Sequence, residues 1–440
     1  MSRVPSIAAK KCFAPRSGRR LKVSLILLAL FFPCFQSPLC EAQVDDGFDF
    51  LKAITIDGGY NLGDEARGVS VDSSGNIFLA GYITVPGQGR DIFLARYNED
   101  LVEQDSVTVN GLAFGDDEGY VMAFDGAGYL YLVGYMTEAD EGHNAWIGKF
   151  DSDLKLVDST TVAGSEGGDD DAYGILFDQV SGNIYIAGTL RETGEGANIW
   201  IAIYDTDLDI VDEITRNGPV GWDTDKARFI VFDDTRHLFV SGSMSQTTTE
   251  YDIWIGKFKD DLSFVDEVII AGPTTDEDKG YGIVFDGDDT IFVTGTMIET
   301  DESYNIWMAK YDTDLTLLDS LTINGPVDGE DVAYLMTIDD DGHLYHSGTY
   351  TESTGGSNIW LARYDSTLTL DSWTTVDGPA SGWDTGIAVA IGQNDELYVS
   401  GIVTDTTSGL DLWLGRFDDP LLFTAGFEIG DTSRWSNATP

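Results

Sequence analysis

Cysteine is nearly missing from this chain, and its placement matters more than its number. The three cysteines, Cys12, Cys34 and Cys40, all lie within the first 42 of 440 residues. The remainder can form no disulfide, offers no thiolate to a metal and holds no cysteine nucleophile. Positive charge is also scarce: 25 Lys and Arg stand against 76 Asp and Glu, a net charge of −51. Seven of those 25 basic residues fall in the first 42 positions, so the rest is more acidic still. Such a surface repels nucleic-acid phosphates and anionic membranes and attracts cations. No Gly-x-Ser-x-Gly, His-Glu-x-x-His, phosphate loop or dinucleotide fingerprint occurs, so none of those chemistries is indicated. No segment carries a helical period, which leaves strands as the building material.

The N-terminus reads as an address. Lys10, Lys11, Arg16, Arg19, Arg20 and Lys22 precede an apolar run at residues 23–35, too short to span a bilayer comfortably. Cys40-Glu41-Ala42 then sets small residues before a cut at Gln43. Residues 1–42 are therefore expected to be a secretory signal peptide, and 43–49 a short lead. The protein is expected to be secreted, periplasmic or at the cell surface, without membrane insertion.

A glycine inside an aromatic and β-branched run recurs seven times, at Gly81, Gly134, Gly188, Gly242, Gly295, Gly348 and Gly401, in steps of 53 or 54 residues. Twelve residues after each comes a large aromatic: Phe93, Trp146, Trp200, Trp254, Trp307, Trp360 and Trp413. Two positions further on there is always Ala or Gly. Within one repeat, runs at 68–71, 77–82, 91–97 and 102–109 are bounded by turn residues such as Asp72-Ser73-Ser74-Gly75, which predicts four strands, here called A to D. A period this long, built of strands, predicts sheets arranged as blades around an axis. The seventh repeat lacks a D strand, and 51–58 matches the D pattern. The N-terminal strand should therefore complete the last blade, giving one all-β, seven-bladed β-propeller over residues 50–419, with a tail at 420–440. The aromatic series is expected to pack between blades. Asp105, Asp158, Asp212, Asp266, Asp319 and Asp371 on strand D are expected to guard the outer edges.

The pattern Asp-x-x-Gly-x-Ile-Tyr-Val-x-Gly followed by Ile-Trp-Leu-Ala-Lys-Tyr-Asp resembles the seven-bladed β-propeller (SBBP) repeats of secreted bacterial proteins. The resemblance covers residues 50–418 and implies the architecture. It implies no particular ligand or reaction, since propellers host many.

Candidate chemistry centres on seven aspartates, 17 or 18 residues before the repeat glycines: Asp64, Asp117, Asp170, Asp225, Asp278, Asp331 and Asp384. Three residues after each stands Arg67, Tyr120, Tyr173, Arg228, Tyr281, Tyr334 or Ile387. Placed at the start of strand A, they would circle the channel mouth. One reading makes each a turn cap bonded to the Tyr or Arg three positions on. The other makes them a Ca²⁺ ring, since Ca²⁺ takes six to eight oxygens. Asp384, followed by Ile387, would then be the member most in need of an ion. Asp205-x-Asp207-x-Asp209 is a second cation candidate. His237 and His343 are expected in exposed A–B turns, His143 in a B–C loop, and His346 as a satisfied core residue. Two functions follow: a monomeric, non-enzymatic binding or scaffold module for a protein or glycan ligand, or a metal-assisted lyase or lactonase with its site at the channel mouth.

Overall fold

The computed structural model describes residues 42–419 apart from positions 46, 61, 112, 114, 140, 141, 221, 222, 248, 301, 302, 328, 353–355, 381, 395 and 408. The expected leader up to residue 41 and the tail at 420–440 lie outside the described residues. Seven antiparallel sheets follow one another around an axis, and no helix occurs among the described residues. Blade one comprises Glu65–Val71, Ile77–Val85, Gly89–Tyr97 and Glu103–Val109, paired in order from the axis outward. Blade seven takes its A, B and C strands from Thr385–Ile391, Glu396–Asp405 and Gly409–Asp418. Its outer strand is Asp49–Ile56, with Phe50 opposite Phe417 and Ile56 opposite Leu412. The ring is thus closed by the N-terminal strand, as the repeat count requires.

The repeat glycine has a steric cause. In every blade strand A carries a bulge as it passes the glycine, as between Ala66 and Gly68 opposite Gly81. The bulge drives a strand A carbonyl onto the glycine Cα. A Cβ on Gly81, Gly134 or Gly242 would overlap the oxygen of Glu65, Glu118 or Lys226, so no larger residue fits. The bulge also starts strand A at Glu65 and not at residue 68, because the period of two is interrupted there.

The aromatic series is core, as expected. Trp146, Trp200, Trp254, Trp360 and Trp413 are fully buried. Trp254 of blade four packs with Tyr185, Ile199 and Ile201 of blade three, and Trp200 with Tyr131, Val133 and Ile147 of blade two. The small residue two positions on lies under the indole: a Cβ at Gly148, Gly256 or Gly415 would overlap Trp146, Trp254 or Trp413. Across the closure, Leu412 and Leu414 of blade seven meet Leu79 and Phe93 of blade one. The core therefore runs around the ring without a break.

The C–D turns hold a feature the sequence does not announce. Leu101, Leu154, Leu208, Leu262, Leu315 and Leu368 all have φ between 51° and 60°, a region leucine rarely visits. All six are buried, so apolar burial offsets the backbone strain. The Asp205 motif belongs to this turn. Asp205 Oδ1 accepts the N–H groups of Asp207 and Asp209 at 2.9 and 3.0 Å, as Asp151, Asp312 and Asp365 do in their own turns. It is a turn-closing aspartate.

Residues 43–49, expected to be a plain lead, contribute structure. Ala42–Asp45 adds a fifth strand to the outer edge of blade six, Ala42 opposite Val376 and Asp45 opposite Trp373.

Candidate functional site

The seven aspartates are brought to equivalent places, but not into the channel. Each is at most 1% exposed and lies where one blade joins the next. Oδ2 of Asp64, Asp117, Asp170, Asp225, Asp278, Asp331 and Asp384 accepts the N–H of Gly58, Gly111, Gly164, Gly218, Gly272, Gly325 and Gly378 respectively, at 2.5–2.8 Å. Oδ1 accepts the N–H of Thr84, Thr137, Arg191, Ser245, Ile298, Thr351 and Thr404, at 2.5–3.0 Å. The aspartate's own N–H bonds back to the preceding blade, as Asp117 does to the Arg90 carbonyl at 2.7 Å. One carboxylate thus ties the D–A loop, the end of strand B and the neighbouring blade. The donor is backbone in all seven, not the Tyr or Arg three positions on, and Asp384 is held like the rest. Burial raises these carboxyls despite the two N–H bonds: Asp117, Asp170 and Asp384 to about 6, Asp278 to about 7.

The Tyr and Arg of the expected pairs have other partners, and these form the channel mouth. Arg67 and Arg90 both bond Glu118, and Arg90 lies over the Tyr82 ring, 4.5 Å from its centroid. Tyr120 stacks on Tyr173 at 5.3 Å. Lys226 Nζ donates to Tyr173 Oη at 2.9 Å, and Tyr173 Oη donates to Asp171 Oδ2 at 2.8 Å. Burial, then the nearby Arg228, lowers Lys226 to about 8. Lys279 continues the cluster with Glu277 and Tyr304. His143 stands on strand C (Gly142–Phe150), not in a loop. It stacks on Tyr135 at 4.0 Å, with Nε2 3.8 Å from Asp171 Oδ1. Five basic residues of an acidic chain, Arg67, Arg90, Lys226, Arg228 and Lys279, gather at this end of the channel. The signal was present in the sequence, because all but Arg90 sit one or three residues after a junction aspartate.

The opposite end, at the A–B turns, opens into a cavity of about 650 Å³ lined by Val71, Val121, Phe124, Ile175, Phe229 and Ile338 among others.

The remaining histidines are elsewhere. His237 and His343 are about three-quarters buried and face Asp233 and Asp339 at 3.3 and 3.0 Å. His346 is fully buried between blades five and six, 4.6 Å from the Trp360 ring and 5.4 Å from Tyr364. Neither ring nitrogen has a hydrogen-bond partner, so the residue is core but not satisfied.

No family model matches the chain, and no curated protein matches it. Among solved structures, a protein of unknown function from Bacteroides caccae is similar in fold, at 10% identity and a TM-score of 0.43, over 67% of this chain and 94% of that one. The seven-bladed architecture is read from the strand order of this chain itself.

Proposed function

We propose that this protein is a binding or scaffold module that works outside the cytoplasm after loss of residues 1–42, and that it takes a polar or anionic ligand at the D–A end of its channel. The observation that supports this most is the concentration of scarce positive charge there. Arg67 and Arg90 lie over Tyr82, Arg67 also over Tyr120, Lys226 over Tyr173, Arg228 over Tyr281 and Lys279 over Tyr304, with Glu65, Glu118 and Glu277 paired among them and Tyr135 against Tyr120. Rings for stacking beside fixed hydrogen-bond donors suit the hydroxyl and carboxylate groups of an acidic glycan, or the acidic side chains of a protein partner. The resemblance to secreted propeller repeats is in keeping with this reading. Binding of the full-length chain to acidic and neutral oligosaccharides and peptides, followed by calorimetry, tests it. Arg90→Ala and Tyr135→Ala should weaken binding at least tenfold, while Val157→Ala on the outer strand of blade two should not. A ligand whose affinity ignores both mouth variants contradicts the proposal.

A second reading rests on Lys226, Tyr173 and Asp171. A lysine near neutrality beside a tyrosine hydroxyl can relay a proton, as a lyase acting on acidic polysaccharide requires. Release of unsaturated product, lost in Tyr173→Phe with binding retained, would favour the enzyme over the binder.

A further inference from the structure

Near the start of strand C every blade carries an Asp or Asn two residues before its aromatic: Asp91, Asn144, Asn198, Asp252, Asn305, Asn358 and Asp411. All seven are at least 95% buried. Backbone pairing sets each beside a junction aspartate. The N–H of Asp117 bonds the carbonyl of Arg90, that of Asp278 the carbonyl of Tyr251, and that of Asp64 the carbonyl of Leu410, the residue just before the Asp in question. Oδ1 of Asp91, Asn144, Asn198, Asp252 and Asn358 receives no hydrogen bond.

For an asparagine, turning the amide over presents a donor to the neighbouring carboxylate. An aspartate has no such remedy, because both its oxygens are acceptors. Asp91 therefore faces Asp117, and Asp252 faces Asp278, in a buried place where Asn110 beside Asp91 and Thr249 beside Asp252 are the nearest side-chain donors and one carboxylate oxygen of each stays unbonded. The side-chain charges acting most strongly on Asp117 are those of Asp91 and Asp116, and on Asp278 those of Asp252 and Asp276, all negative. Asp170, whose neighbour is the neutral Asn144, feels the negative Asp171 and, less strongly, the positive Arg191. At the ring closure the arrangement gains a third member: carboxylate oxygens of Asp57, Asp64 and Asp411 lie within 4.8 Å of one another. Asp57 follows directly on the closing strand Asp49–Ile56.

We propose that three blade junctions, Asp91 with Asp117, Asp252 with Asp278, and Asp57 with Asp64 and Asp411, each bind a Ca²⁺ ion that pins one blade to the next. Oxygen-only donors suit a hard cation, and an irregular loop suits the flexible coordination of Ca²⁺ better than the strict octahedron of Mg²⁺. Two or three carboxylates, completed by water and loop carbonyls, place the affinity near ~10⁻⁴–10⁻³ M, as in extracellular modules. The ion at the third junction would clasp the closing strand.

The test uses the purified full-length chain, stripped with chelator. Thermal melting is compared in about 5 mM CaCl₂, within the saturating range for such sites, and in NaCl of equal ionic strength. Terbium luminescence, excited through Trp254 and Trp413 two residues beyond Asp252 and Asp411, gives a direct binding signal. The triple variant Asp91→Asn, Asp252→Asn, Asp411→Asn installs what the other four blades carry, so the fold should tolerate it. Ca²⁺ should raise the melting point of the native chain beyond the matched salt and displace terbium. The triple variant should lose both responses and melt higher than the native chain in chelator, because a repulsion is gone. Asp252→Asn and Asp411→Asn singly should each remove part of the terbium signal, and Asp91→Asn singly part of the Ca²⁺-dependent rise in melting point, which covers failure of the triple variant to fold. A melting point that responds to Ca²⁺ only as to NaCl, or a full response that survives in the variants, overturns the proposal.

Discussion

Trp254 shows what one side chain does in this ring. Its indole fills the space between blades three and four, and its Nε1 donates to Glu267 at 2.8 Å. Trp254→Ala removes the burial and leaves a cavity, so it should cost about 3–5 kcal/mol in denaturant unfolding. A cost under about 1 kcal/mol, typical of exposed sites, would contradict inter-blade packing. His346 gives a pH signature. Burial pushes its imidazole down to about 3, from an ordinary value of 6.5. Below about pH 6.5 the unfolded chain takes up a proton that the folded chain refuses, so this residue's contribution falls as pH drops. Between about pH 7 and about pH 5 the loss should be about 2 kcal/mol. His346→Leu, the residue at positions 79 and 132, should abolish it. Equal pH dependence of the native chain and the variant would contradict the assignment. The sequence flagged both residues, Trp254 by its period and His346 by its departure from an apolar series. It could not show that the imidazole nitrogens go unbonded, because that depends on Trp360 and Tyr364 packing around them.

At the scale of the element, strand A and its junction decide how blades join. Each bulge forces a glycine on strand B, and each junction aspartate joins segments six or seven residues before it and 20 or 21 after it. Asp384→Ala should leave the N–H groups of Gly378 and Thr404 without an acceptor. At about 1–3 kcal/mol for each buried donor, the cost should be about 2–6 kcal/mol, with Asp384→Asn milder because one acceptor remains. Urea unfolding in chelator measures both, and an unchanged midpoint for Asp384→Ala would show that the carboxylate ties nothing. The seven-fold identity of this aspartate was legible in the chain. Its partners were not, because they are backbone N–H groups, which leave no side-chain pattern. The Tyr and Arg three positions on looked like partners only because they recur, and they serve the channel mouth instead. The Asp or Asn before each strand C aromatic was equally regular in position, but its alternation between the two residue types hid it.

For the whole molecule, charge and closure dominate. With a net charge of −51, self-repulsion opposes the compact state. In chelator, the melting point should climb from low-millimolar NaCl to about 1 M, where the screening length is ~3 Å. A flat profile would mean that the charges are already neutralised. Ring closure was countable from the seventh repeat's missing strand and the matching N-terminal segment. The extra strand Ala42–Asp45 on blade six was not, because nothing in its four residues specifies a partner. Asp49–Ile56, as the outer strand of blade seven, is what closes the ring. Light scattering and melting of a chain beginning at Gly47, compared with one beginning at Gly59, test that most directly. The first should stay monomeric and cooperative. The second should melt well below it and self-associate through the bared edge of Gly409–Asp418. Two chains that melt alike, both as monomers, would contradict closure by the N-terminal strand.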